Sequence, residues 1–193
     1  MTPTTETIAH CRIEPRASQF TVQAFASGLI AAVAHSPKIA IREWKVDVSF
    51  VPENLRDAKL RAFTKAASLE VLDELRESDR RELHRVMNDE VLETRRFPEV
   101  LFESSTIIAE RLKEGLFRVD ISGDLTLHGV KNQHAFLCQV ALGPDSFRSH
   151  GTFTLLQTDY GIRIASVAGG SLKLQDELKF SFYTVGRKLD SNA

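Results

Sequence analysis

The chain has 193 residues, enough for one domain with a sizeable hydrophobic core. Its 25 basic and 26 acidic side chains give a formal net charge of -1, which excludes a global electrostatic attraction to nucleic acid or to an anionic membrane surface. Twelve residues are Phe, against one Trp and two Tyr. Phe packs or lines apolar pockets without needing a hydrogen-bond partner, so the aromatic content favours an apolar interior.

The cysteines and the hydrophobic segments of the sequence indicate the cellular compartment of the protein. Cys11 and Cys138 are the only cysteines, too few for a disulfide framework and too far apart for a CxxC motif. We expect one surface thiol and one core thiol. The first residues lack the basic and then apolar pattern of an export signal, and no run reaches the roughly 18 apolar residues of a spanning helix. The sequence therefore predicts a soluble, cytoplasmic protein that does not span a membrane.

Short strands separated by turns are predicted in the first part of the chain. Residues 19–41 are small and apolar up to the sequence His35-Ser36-Pro37, which indicates a strand running into a turn. Apolar and polar residues then alternate in residues 44–50, the period of a half-buried strand. Residues 58–63 and 68–72 form two more short apolar runs.

One amphipathic helix is predicted over about residues 79–93. Asp79 is followed three residues later by Glu82, the spacing of a capping box. Phe97-Pro98 follows the helix and prevents its continuation. The apolar residues of this segment share one face, so we expect the helix to cover an end or a face of a sheet: Leu83, Val86, Met87 and Val91.

Long strands dominate the chain after Glu99. Alternation places one set of apolar residues on the same face of residues 117–127, and His134 shares the apolar face of the next strand. Long strands joined by short turns, each with one apolar face, close most economically into a barrel because closure removes the edges. We therefore predict a mainly β, antiparallel barrel of about eight strands in a single domain, with a core over about residues 10–187.

Catalytic and metal motifs are absent from the sequence. None of the six histidines has the HExxH, HxH or HxxxH spacing that would bring two imidazoles to one metal, and no GxSxG, Walker or GxGxxG motif occurs. No catalytic residue, metal or cofactor is therefore predicted. His128 shares the polar face of its strand and is expected to face solvent, whereas His134 is expected in the core or at its rim. A barrel of about eight strands holds a ligand as well as side chains, and the pattern alone leaves a filled core and a ligand cavity equally open.

Five segments in order carry a resemblance to a known family. They are CRIEPRASQFTV at 11–22, RFPEVLFES at 96–104, GDLTLHGV at 123–130, QTDYGI at 157–162 and KLQDELKFSF at 173–182. In these segments the chain resembles the YceI-like family, whose members are lipocalin-like barrels that bind polyisoprenoids or similar lipids. The resemblance covers almost the whole chain and implies an up-and-down barrel with a helix near one end and an internal tunnel for an isoprenoid chain.

The resemblance favours non-catalytic binding, storage or transport of a long apolar lipid. Inward positions are expected to line the lipid cavity: Trp44, Val46, Leu69, Val71, Met87, Phe102, Phe117, Val119, Ile121, Phe136, Phe153, Phe180 and Phe182.

Two other functions stay open. A stress-related or catalytic protein acting on a small polar molecule would need His35, His134 and Asp159 to converge. An interaction module would have a filled core and an exposed apolar patch. A homodimer is compatible with all three functions.

Overall fold

The computed structural model describes residues 8–27, 36–51, 55, 57–164, 166–167 and 172–189. Within these residues the chain is almost entirely antiparallel β-structure. The strands are β1 Ala9–Ile13, β2 Gln19–Ser27, β3 Lys38–Ile41, β4 Trp44–Phe50, β5 Lys59–Lys65, β6 Leu69–Val71, β7 Glu99–Lys113, β8 Leu116–Leu127, β9 Val130–Leu142, β10 Ser146–Leu156, β11 Ser166–Val167 and β12 Leu172–Lys188. The helix α1, Glu77–Arg85, continues directly into a π-helical segment, Val86–Val91.

Eight of the strands close into a barrel. Their order around it is β1, β4, β5, β7, β8, β9, β10 and β12, with each strand antiparallel to its neighbours. β12 pairs with β1 and completes the circle, for example through Gly186 and Ile13. The predicted mainly β, up-and-down barrel of eight strands with a single helix is confirmed.

Bends extend one wall of the barrel past its end. A 3-10 turn at Pro15–Ala17 separates β1 from β2, and another at Ala66–Ser68 separates β5 from β6. Beyond these bends β2 pairs with β12 and β3, and β3 pairs with β6. The extension ends at β6, where Arg80 of α1 donates from Nη1 to the carbonyl oxygen of Val71 at 2.7 Å and from Nη2 to that of Asp73 at 3.0 Å. Arg80 thereby fixes the helix against the last strand of the extension.

The helix begins and ends two residues earlier than predicted. Its N-cap residue is Arg76, and no side chain caps it, so the predicted capping box at Asp79 is wrong. Asp79 lies inside the first turn, where a carboxylate complements the helix dipole, and its Oδ2 accepts a hydrogen bond from Nε of Arg76 at 3.0 Å. The helical segment ends before Glu93, which has a left-handed backbone with φ of 44°.

Alternation directs the apolar side chains of the long strands inward. In β8 every second residue from Phe117 to Leu127 is buried, as predicted, and the residues between them are more exposed. The prediction of one surface thiol is wrong, because Cys11 and Cys138 are both buried. β1 is paired on both edges, with Val48 of β4 and Lys188 of β12 lying opposite Cys11, so this residue belongs to the closed wall.

His128 is enclosed rather than exposed. Its side chain is only 11% exposed, and Nε2 lies 2.9 Å from Oε2 of Glu93 while Nδ1 lies 3.2 Å from the carbonyl oxygen of Tyr160. The prediction from strand alternation is wrong here because His128 has left the strand: its φ is 51°, in the left-handed region.

Candidate functional site

The barrel contains a cavity of about 480 Å³. This volume lies within the range of about 300–1,000 Å³ that is typical of small-molecule sites. The walls come from inward-facing positions of the barrel strands, from the extension and from α1, and almost all of these side chains are apolar. The cavity is therefore suited to an apolar molecule.

Stacked aromatic rings form one wall of this cavity. Phe153 of β10 and Phe180 of β12 are register partners, and their rings stack with centroids 4.8 Å apart and planes 2° apart. Phe136 of β9 continues the cluster, 5.3 Å from Phe153 and 6.0 Å from Phe182. The period of two in each strand places all four rings on the inner face.

A second aromatic contact lies in the first half of the chain. Phe20 of β2 packs edge-on against Trp44 of β4, with ring centroids 6.2 Å apart, and also contacts Phe180 at 6.1 Å. Trp44 is the single tryptophan of the sequence, so it offers an intrinsic optical probe of the cavity.

The helix supplies apolar side chains to the cavity. Four apolar residues with the helical spacing that the sequence indicated line the cavity: Leu83, Val86, Met87 and Val91. Met87 is almost fully buried, at 7% exposure. The helix therefore forms part of the cavity wall through the face opposite its charged residues.

Eleven of the thirteen residues that the sequence suggested lie on the cavity wall: Trp44, Val46, Leu69, Met87, Phe102, Val119, Ile121, Phe136, Phe153, Phe180 and Phe182. Phe117 and Val71 are buried, at 3% and 1% exposure, but do not border the cavity. Phe117 belongs to the packed core, where the guanidinium of Arg111 lies 5.9 Å from its ring. Val71 is enclosed at the end of the extension, beside Arg80.

Sequence reasoning missed several wall residues in the bent strands. β2 contributes Phe20, Val22 and Ala24, and β3 contributes Ile39 and Ile41. Alternation between Phe20 and Ala24 was a usable signal for the first set. The short length of β3 left no comparable signal for the second.

Most polar groups on the wall already have partners. Ser149 Oγ and Thr184 Oγ1 share a hydrogen bond of 2.5 Å. Gln157, only 3% exposed, donates from Nε2 to the carbonyl oxygen of Gln175 at 2.9 Å. These hydrogen bonds reduce the polarity that the two hydroxyls and the amide present to a ligand.

His134 of β9 differs from these three wall residues. Its Nε2 is buried and has no hydrogen-bond partner. Its ring packs edge-on against Phe153, with centroids 5.2 Å apart. Burial lowers the pKa of the imidazole below its ordinary value of 6.5, since the surroundings stabilise the charged form poorly. His134 is therefore neutral near pH 7 and has one ring nitrogen free for a hydrogen bond.

The thiol of Cys138 also faces the cavity. Burial, with a smaller effect of Asp120, raises its pKa to about 12. A thiol with such a pKa carries almost no thiolate at neutral pH and is a poor nucleophile.

The residues suggested for a catalytic site are only partly brought together. His35 lies outside the described residues. His134 and Asp159 border the same polar pocket on the outside of the barrel, but Nε2 of His134 makes no hydrogen bond there. Among the residues that the structure describes, no three His, Cys, Asp or Glu side chains form a metal-binding cluster. No helix in this part of the chain is long and apolar enough to cross a membrane.

An up-and-down barrel of eight strands with an apolar internal cavity and one helix on its wall defines the class of protein. The chain belongs to the YceI-like domain family, whose model matches residues 12–185. No curated protein matches the chain in sequence.

Solved structures share the fold at low sequence identity. BcnA of Burkholderia cenocepacia has 16% identity and a TM-score of 0.71, over 90% of this chain and 98% of that one. A polyisoprenoid-binding domain from Saccharophagus degradans, implicated in plant cell wall breakdown, has 13% identity and a TM-score of 0.63, over 93% and 98%. The YceI protein of Campylobacter jejuni has 16% identity and a TM-score of 0.57, over 79% and 85%.

Proposed function

We propose that the protein binds a long apolar lipid, such as a polyisoprenoid, inside the barrel and stores or transports it without changing it chemically. The observation that carries this proposal is the cavity of about 480 Å³ with an almost wholly apolar wall. The family membership and the polyisoprenoid-binding domain from Saccharophagus degradans support the choice of an isoprenoid chain.

Physical chemistry favours a chain without polar groups along its length. Each methylene moved from water to such a wall contributes about 0.8 kcal/mol. The Ser149 to Thr184 bond and the hydrogen bonds of Gln157 stay intact when a hydrocarbon enters. A polar solute of the same size would lose its hydrogen bonds to water and gain few in return.

A filled-core interaction module is the weaker alternative. It requires that side chains occupy the interior, whereas the barrel retains an internal space that α1 and the strands enclose together. A catalytic function is also less favoured, because within the described inner wall neither the neutral imidazole of His134 nor the unreactive thiol of Cys138 is hydrogen-bonded to a carboxylate such as Asp73.

Fluorescence of Trp44 measures binding directly. Titration with the C20 isoprenoid alcohol geranylgeraniol is expected to change the emission of Trp44 in a saturable manner, because this side chain lies on the cavity wall. The variant Ala62→Phe places a ring in the cavity and is expected to weaken binding at least tenfold. Ala141→Phe, on the exposed face of β9, is the matched control and should bind as the wild type does.

Thermal unfolding of both variants shows whether they are folded. Equal affinity of Ala62→Phe and the wild type would contradict binding in the barrel interior. An absence of saturable binding to the folded wild type would contradict the proposed function itself.

A further inference from the structure

The barrel wall opens between β9 and β10. Their pairing begins at Leu142 and Phe147, beside the connecting turn, and stops at Cys138 and Gly151. Both strands continue, β9 back to Val130 and β10 on to Leu156, without pairing with each other. β8 and β12 remain paired with the outer edges of the two strands over this stretch. A gap in the wall is therefore held open between two otherwise intact sheets.

A polar pocket lies on the outside of this gap. Its lining includes Asn132 and Gln133 of β9, Thr154 of β10 and the backbone turn that carries Asp159. His134 borders both this pocket and the internal cavity. Since Nε2 of His134 is buried and has no hydrogen-bond partner, a side-chain nitrogen able to form a hydrogen bond lies where the two spaces meet.

The charges of the outer pocket select against an anion. Two carboxylates, Asp159 and Glu177, border it, and none of the lysines and arginines that the structure describes does. Lys131, on the neighbouring part of β9, forms a salt bridge with Asp124, and its Nζ lies 2.6 Å from Oδ2 of that residue. Burial and, to a smaller extent, the negative charge of Asp159 raise the pKa of the Tyr160 hydroxyl. A phosphate placed here would meet like charges and no cationic partner.

We propose that this gap is the head-group site of the bound lipid, and that it takes an uncharged head with a hydroxyl or carbonyl group, hydrogen-bonded to His134, in preference to a phosphate. The inference rests on the proposed function, since it requires the apolar chain to lie in the barrel. Neutral imidazole suits such a head because Nε2 either donates to a carbonyl oxygen or accepts from a hydroxyl, according to its tautomer.

Three C20 probes with related chains test the proposal: geranylgeraniol, geranylgeranyl diphosphate and the hydrocarbon phytane. The wild type is expected to bind the alcohol at least tenfold more tightly than the diphosphate. His134→Phe should weaken binding of the alcohol about threefold to tenfold, the effect of one hydrogen bond, and leave phytane binding unchanged. His150→Phe, which removes an exposed imidazole from the outer face of β10, is the matched control.

Reversing the charges of the outer pocket distinguishes repulsion of a phosphate by these carboxylates from a general preference of the cavity for neutral molecules. The double variant Asp159→Lys/Glu177→Lys is expected to reduce the ratio of alcohol to diphosphate affinity about tenfold. Glu114→Lys/Asp145→Lys changes the net charge equally, in the turns at the opposite end of the barrel, and should leave the ratio unchanged.

A spectroscopic measurement covers the case in which a variant does not fold. In the wild type, the nitrogen-15 resonance of His134 Nε2 should shift when the alcohol binds and stay in place when phytane binds. Binding of all three probes with no effect of either substitution, and no shift of this resonance, would overturn the head-group site but leave the lipid cavity intact. Failure of every C20 probe to bind would instead contradict the proposed function.

Discussion

The ring of Phe97 occupies the space beside Gly129 in which any larger side chain would have to lie. A Cβ atom built on Gly129 would be 2.5 Å from Cε1 of Phe97, and the φ of Gly129 is 75°, in the left-handed region. Phe97 also packs against His128, with ring centroids 4.3 Å apart. The ring of Phe97 thus joins the segment after the helix to the turn between β8 and β9, in addition to the contact of Glu93 with His128.

Gly129→Ala is expected to lower the free energy of unfolding by about 1–3 kcal/mol, because the methyl group meets Phe97 and the backbone becomes strained. Urea denaturation measures the difference. Gly143→Ala is the control, since Gly143 has no positive φ. A Cβ atom built on Gly143 would have Oγ of Ser146 as its nearest neighbour, at 3.2 Å. Equal losses for the two variants would contradict the role of the Phe97 contact.

His128→Ala is expected to cost about 1–3 kcal/mol of stability, since it leaves Glu93 and the carbonyl oxygen of Tyr160 without their imidazole partner. Chemical denaturation again provides the measurement. Binding of geranylgeraniol to the folded variant should be retained, because His128 does not border the cavity. A large loss of affinity at unchanged stability would contradict this structural role.

Neutral His134 should make the protein less stable in acid. Its pKa is lowered in the folded state from an ordinary value of 6.5, so below about pH 6.5 the unfolded chain takes up a proton that the folded protein does not. Stability is therefore lost as the pH falls through 6.5, until the folded-state pKa is reached. His134→Phe removes this component, so wild type and variant should diverge between pH 7.5 and pH 5, with the wild type losing more. Parallel stability curves would be the contrary result.

Cys138 should resist thiol reagents in the native state. With its pKa at about 12 and its side chain buried, reaction of the Cys11→Ala variant with Ellman's reagent at pH 8 is expected to be at least about a hundredfold slower than in urea. Ala141→Cys, introduced on the exposed face of β9 in the same background, should react rapidly. Rapid native labelling of Cys138 would show that its surroundings open to water.

The barrel could be predicted from the sequence because a period of two fixes which face of a strand is buried. The alternation from Phe117 to Leu127 is an example: one pattern settled both the strand and its inner face. The helix followed from the spacing of Leu83, Val86 and Met87. Its exact ends did not, because the left-handed backbone of Glu93 is a property of the folded chain.

The alternation of apolar and polar residues did not predict features that depend on the tertiary structure. Nothing in β9 or β10 marks the point at which their pairing stops, since both continue as strands past Cys138 and Gly151. His128 could not be placed by strand parity because it belongs to the turn. The cytoplasmic location, the single-domain extent over 1–193 and a homodimer stay predictions, as does the expectation that nucleic acid is not a partner.

Native mass spectrometry tests the central claim most directly. Protein purified without detergent from a host that makes isoprenoids is expected to carry about one apolar lipid per chain, which denaturing extraction releases and identifies. Ala62→Phe, prepared in parallel, should carry much less, and Ala141→Phe should match the wild type. A mass of the bare chain alone, unchanged after incubation with geranylgeraniol, would contradict lipid binding inside the barrel.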